Sequence, residues 1–228
     1  MKHLIWLPVL LCMAATPAQL SAQQKFKERQ KAREAKFAQY EKQGGNFSLG
    51  VRSTLSTFDH GQWRNPGIGM GGQFRIQPVD RINTEWYADV IWHNINNKAL
   101  RYDYHIGWSV MYYLLHPKGF TRLFTPYIEA GHCFDLTRVK INGEGNKPIQ
   151  RWSSAVQMGG GTHINLTPKF DLTLKCQYML HLGNEVHTHE NEDGSIYIET
   201  HKNAGWEGHL LFTLSASYKL FKLWKPKK

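Results

Sequence analysis

From Asn46 onward, apolar and polar side chains alternate along the chain with a period of two. The clearest stretch is Asp80–His93, DRINTEWYADVIWH. Ile82, Thr84, Trp86, Ala88, Val90 and Trp92 fall on one face, and Asn83, Glu85, Tyr87, Asp89, Ile91 and His93 on the other. That spacing is the signature of a β-strand, whose side chains point alternately to opposite sides. A soluble sheet would bury the tryptophans and leave the carboxylates in water. A membrane barrel would turn the tryptophans to lipid and the carboxylates inward.

The pattern recurs often enough to predict eight strands: Asn46–Leu55, Gly67–Ile76, Asp80–His93, Tyr102–Leu115, Pro126–Leu136, Trp152–Leu166, Phe170–Leu180 and Trp206–Leu220. The connections at 77–81, 116–125 and 167–169 read as tight, with Pro78, Pro117 and Pro168 among them. Those at 56–66, 93–101, 137–151 and 183–205 read as mostly longer, polar and rich in Gly and Asn. An even strand number, alternating connection lengths and strands near the ~10 residues that cross a bilayer predict an all-β fold. The expected architecture is an eight-stranded antiparallel up-and-down transmembrane β-barrel over 46–221, preceded by a short helical or disordered segment.

The flanks add export and charge. MKHLIWLPVLLCMAATPAQLSAQQ opens with Lys2 and His3, runs through an apolar stretch, and ends in small residues. This is the layout of a cleaved signal peptide, residues 1–22. Residues 23–45 form a basic periplasmic linker or short helix stopped at Gly44-Gly45, and residues 222–228 a basic periplasmic tail. An even strand number brings both ends to the same side. The net charge of +10 concentrates there: Lys25–Lys42 holds seven basic and three acidic residues. Export and the lack of a base-reading motif argue against nucleic acid and for solvated ends or contacts with anionic lipid. After the signal, no run approaches the ~20 apolar residues of a transmembrane helix. Cys133 and Cys176 fall on opposite faces of non-adjacent strands, so no disulfide is expected.

Which face meets lipid follows from the aromatics and the charges. Trp92, Tyr102, Tyr104, Tyr178 and Trp206 lie near the long-loop ends of their strands, and Phe47, Phe74, Tyr112, Phe170 and Tyr218 near the tight-turn ends. Together with Trp86, Trp108 and Phe212 they form lipid-facing belts of the kind found at membrane interfaces. Arg52, Arg75 and Lys175 share the other face with Glu85, Asp89, Glu129 and Asp171. Both signs are present, as a charge network inside a narrow lumen requires. Eight strands leave a lumen that side chains fill rather than an aqueous channel. A soluble periplasmic ligand-binding barrel would reverse the two faces.

On these strands, loops and export signal, the chain resembles the small eight-stranded outer-membrane β-barrels of the OmpA-transmembrane-domain, OmpX and OmpW type. The resemblance implies residence in a Gram-negative outer membrane, with lipid as the surrounding partner. In that family the last strand usually ends the chain on an aromatic residue. Here GHLLFTLSASYKLF supplies Phe212, Tyr218 and Phe221, but alternation places Phe221 out of phase with the lipid face, and KLWKPKK follows.

Chemistry is sparse. A lipid A deacylase-like enzyme would need Ser and His in reach of each other, with a group to orient the imidazole. His132 falls on the lipid side without a serine two positions away; His105 and Ser109 share the inner face four residues apart; His163 has no serine near it on its face. The last long connection carries His187, His189, Glu190, Glu192, Asp193 and His201, donors suited to a divalent metal but lacking a helical metalloprotease spacing. Gly194 offers that loop a hairpin instead, with Ile196–Ile198 as a strand. The resulting expectation is a non-enzymatic barrel with no cofactor and no metal. It would anchor or bind through outward loops and basic periplasmic ends, with periplasmic or envelope proteins, such as a type IX-like secretion assembly, as partners.

Overall fold

The structure, a computed structural model, describes residues 24–25, 27–29, 31, 42–57, 66–95, 97–117, 122–142, 148–183, 185–190, 196–201 and 208–224. The predicted signal peptide, most of residues 23–41 and Trp206 lie outside them. The chain divides into two units, Met1–Gln39 and Tyr40–Lys228. In the first, the described residues have helical backbone.

Among the described residues the second unit has ten strands: β1 (Asn46–Thr57), β2 (Gly67–Val79), β3 (Ile82–Ile95), β4 (Ala99–Tyr113), β5 (Phe124–Ile141), β6 (Ile149–Asn165), β7 (Phe170–Leu182), β8 (Glu185–Glu190), β9 (Ile196–His201) and β10 (Gly208–Lys222). Eight of them close a barrel in the order β1-β10-β7-β6-β5-β4-β3-β2, every pair antiparallel. The wall is therefore a simple meander sealed by β1 against β10. Closure leaves no unpaired sheet edge, which a barrel in a membrane requires. β8 and β9 pair only with each other, Glu185 opposite His201 through Glu190 opposite Ile196. They form a hairpin between β7 and β10.

Asn46 pairs with Lys222, so both ends of the barrel chain lie at one rim, called the lower rim here. The shortest wall strand has 12 residues. At about 3.3 Å per residue and a tilt near 40°, it covers about 30 Å, the hydrocarbon thickness of a bilayer.

The two faces are inverted relative to a soluble barrel. Val51, Met70, Trp152 and Met158 are 63–70% exposed, whereas Arg52, Arg75, Glu85, Asp171 and Lys175 are 1–5% exposed. Water would leave the apolar wall unsatisfied far beyond the few hundred Å² that soluble monomers tolerate. Lipid satisfies it. The barrel is of the transmembrane type.

Two features differ from the pattern read in the sequence. The connections do not alternate cleanly, because several strands run on past their expected ends. β3 and β4 continue to pair up to Ile95 opposite Ala99. Their link at 96–98 is a tight turn, with Asn97 in the left-handed region at φ 58° and the Lys98 amide donating to the Ile95 carbonyl at 2.8 Å. The link at 114–123, read as comparatively tight, spans ten residues, the same length as the expected 116–125. β5 and β6 pair as far as Val139 opposite Ile149, well into the expected loop. Pro78 lies inside β2 rather than in the turn, where the register breaks between Ile76 and Val79 and no ladder donor is needed.

The second difference corrects the phase of Phe221. Pairing shifts between Phe47 opposite Phe221 and Ser48 opposite Lys219, so Leu220 is an extra residue, a β-bulge. The bulge returns Phe221 to the outer wall, 56% exposed.

Candidate functional site

The lumen is filled in layers. At the lower end the Arg75 guanidinium donates from Nη2 to both Asp171 carboxylate oxygens, at 2.6 and 2.8 Å. Its Nη1 lies 2.9 Å from His163 Nδ1, which is 2.7 Å from Thr173 Oγ1. Tyr127 stacks on the His163 ring at 4.8 Å and Tyr113 meets it edge-on at 5.6 Å. Only a recess of about 20 Å³ remains there, room for about one water.

In the middle, Arg52 bridges Glu85 at 3.2 Å and Asp89 at 3.1 Å. Lys175 bridges Glu85 at 2.6 Å and Glu129 at 3.5 Å. The five side chains make one network across β1, β3, β5 and β7, so no charge in it is isolated at low dielectric. Tyr87 lies across the lumen with the Arg52 guanidinium 4.1 Å from its ring centre, and donates its hydroxyl to Gln157 Oε1. Gln157 in turn donates to Ser109 Oγ at 2.9 Å and receives Gln177 Nε2 at 2.7 Å. Gly107 makes the crossing possible: a Cβ there would sit 2.6 Å from the Tyr87 ring.

Above this network comes an apolar layer that a reading of the inner face as purely charged does not foresee. Ile91, Cys133, Ala155, Met179 and Leu211 form a cluster with each residue at most 2% exposed. Above it again lies a second polar group. Asp103 accepts from Arg101 Nε at 3.0 Å and from Thr137 at 2.8 Å, with His93 Nε2 3.7 Å away. Asp135 has His105 at 3.5 Å, His181 at 3.4 Å and Arg151 at 3.6 Å. The His209 ring lies 4.9 Å from His181 and 6.1 Å from His105. The signal for this group was present in alternation, since Asp103 and His105 fall on the inner face of β4, and Asp135 on that of β5. What brings them together with His181 and His209 is register, which alternation does not give.

The outer wall carries an aromatic ladder. Phe221 stacks on Phe47 at 5.1 Å, Phe47 on Phe74 at 6.0 Å, Phe74 on Trp86 at 6.1 Å, and Trp86 meets Trp108 at 6.2 Å. The ladder crosses five strands. Trp92, Tyr112, Tyr178, Phe212 and Tyr218 are also exposed on this face, while Tyr102 and Tyr104 are half-buried.

Histidines do not assemble with serines where the sequence set them close. Ser109 bonds to Gln157 and His105 faces Asp135. His132, opposite Trp108 and Val156, is edge-on to Phe134 at 4.8 Å. Among the described residues no group of three His, Cys, Asp or Glu side chains is arranged to hold a metal ion. Glu192 and Asp193 lie outside the described residues, as do the side chains of His187, His189, Glu190 and His201. Cys133 and Cys176 are both free thiols.

No known sequence family matches the chain, and no characterised protein is detectably similar to it in sequence. Solved structures do match in fold. Neisserial surface protein A aligns with 14% identity over 78% of this chain and 98% of its own, with a TM-score of 0.56. The N-terminal β-barrel domain of Pseudomonas aeruginosa OprF aligns with 12% identity over 76% of this chain and 97% of its own, with a TM-score of 0.50. The chain has the fold of the small eight-stranded outer-membrane barrels.

Proposed function

We propose that this protein is an outer-membrane anchoring platform, exported through a cleaved signal peptide, whose barrel is a rigid plug rather than a pore or an enzyme. The observation that carries this reading is the filled lumen. Among the described residues, polar, charged and apolar layers from facing strands occupy it, and its central ionic groups are engaged with one another. A structure so pre-organised suits holding position, and leaves binding to what projects from the rims. At the upper rim that is the β8–β9 hairpin with the neighbouring loops. At the lower rim the chain enters beside Lys42 and leaves beyond Trp224, and the sequence outside those points is rich in lysine and arginine. Periplasmic or envelope proteins, in an assembly such as a type IX-like secretion complex, are the partners this reading proposes for the basic ends.

Two measurements test it. Membrane fractionation should recover the protein with the outer membrane, and its gel mobility should be faster before boiling than after. Crosslinking and purification should then capture a periplasmic protein with the full chain, and lose it when residues 23–41 and 225–228 are deleted. Recovery as a soluble periplasmic protein contradicts the membrane reading. Turnover of lipid A by the purified barrel, abolished by His132→Ala or His105→Ala, would establish the enzymatic alternative instead.

A further inference from the structure

The lower rim carries a lysine-lined recess directly beneath the apolar wall. Lys42, Lys169, Lys219 and Lys222 surround it, with Pro168 and Phe221 among its apolar lining, and its volume is about 90 Å³. Backbone pairing builds it. The Lys219 amide donates to the Lys169 carbonyl at 2.7 Å, drawing the β6–β7 turn against β10. Lys222 Nζ donates to the Lys42 carbonyl at 2.9 Å, and Lys219 Nζ to Gln43 Oε1 at 3.3 Å.

The carboxylates nearest this recess are already engaged. Asp171 is held by both Arg75 bonds, and Asp80 accepts the backbone amides of Gln43 and Gly44, each at 2.8 Å. Lys169, Lys219 and Lys222 have no ion pair among the described residues. Four lysines and no described carboxylate line the recess, and Asp171 and Asp80 act on Lys219 and Lys222 only from beyond salt-bridge distance.

The bulge supplies the other half of the arrangement. It turns Leu220 and Phe221 outward in succession, so the apolar wall runs without interruption down to the lysines. An amphiphile seated here would have its charge at the ammonium groups and its chains along Leu220, Phe221 and Phe47. Lysine is well suited to this, because its alkyl stem lies on apolar surface while its head reaches the interface.

We propose that this recess binds the phosphate headgroup of an anionic phospholipid in the leaflet at the lower rim. The inference rests on the transmembrane reading of the barrel and adds a defined lipid site to it. An acidic segment of a partner protein would be drawn by the same charge but would not need the adjoining apolar wall. The phospholipid uses both.

Native mass spectrometry of the detergent-solubilised full chain, with phosphatidylglycerol and phosphatidylcholine added in equal amounts, tests the proposal. Phosphatidylglycerol should be retained preferentially. Lys169→Gln/Lys222→Gln, both exposed positions, should weaken that retention about 25-fold, since each lysine near an anionic surface contributes roughly fivefold. Lys140→Gln, exposed at the upper end, should leave it unchanged. Equal retention of the two lipids, or unchanged retention in the double variant, overturns the proposal. So does retention of inorganic phosphate or an acidic peptide without lipid. Heat-dependent gel mobility of the same samples reports separately on whether the barrel is present, so a failed barrel and a missing lipid site give different results.

Discussion

The ring of Phe221 lies 5.1 Å from that of Phe47 at an interplanar angle of 15°, although strict alternation would put Phe221 inside the barrel. One inserted residue, Leu220, makes the difference. It seats the last aromatic of β10 on the first of β1, at the seam where the barrel closes, and starts the ladder that runs on to Trp108.

Deleting Leu220 should therefore damage the barrel less than truncating the ring. Phe221→Ala should cost about 0.5–1.5 kcal/mol for the aromatic pair, in addition to lost apolar contact. The deletion should cost less, because Phe221 then follows Lys219 directly and stays on the outer wall opposite Phe47 in a regular ladder. Urea unfolding in lipid vesicles checks this, and a deletion more costly than Phe221→Ala would contradict it.

The Arg75–Asp171 pair predicts a non-additive response. Asp171→Asn leaves a buried guanidinium without its carboxylate and should cost about 3–5 kcal/mol. The double variant Arg75→Met/Asp171→Leu removes both charges and should recover most of that loss. A double variant as unstable as the sum of the two single changes would show that the pair is not the unit of stability.

Filling of the lumen predicts silence in planar bilayers. The native barrel should show no steady ion conductance. Replacing Met179 and Leu211 with alanine opens the apolar layer but leaves Tyr87 and its bonds below it, and should also be silent. Adding Tyr87→Ala should produce current. A steady conductance in the native protein contradicts the plug.

Much of the fold is legible along the chain because alternation is a local property. Trp86 and Glu85 are neighbours in sequence on opposite faces, and nothing beyond pleating is needed to separate them. What alternation omits is register. It does not say that Asp89 comes opposite His105, or that Asp135 lies beside His181, so the upper polar group was invisible as a group. Nor does it reveal an inserted residue such as Leu220, which reverses the phase of everything after it. The apolar layer is hidden for a different reason. Ile91, Cys133 and Met179 sit singly among polar neighbours on the inner faces, and become a cluster only when the strands are staggered. Asparagines at 94 and 97 read as loop composition, which hides the tight β3–β4 turn. Here Asn94 Oδ1 instead accepts the Asn97 amide at 2.9 Å and holds the turn closed.

The central claim is that the tryptophan face of β3 and β4 meets lipid. Fluorescence quenching by brominated acyl chains tests it most directly, in vesicles holding variants that keep only Trp86 or only Trp108. The account predicts strong quenching by the brominated lipid and little by an aqueous quencher at both positions. Efficient aqueous quenching without any effect of brominated lipid would contradict it, and would place the carboxylate face rather than the tryptophan face against the membrane or leave the barrel in water.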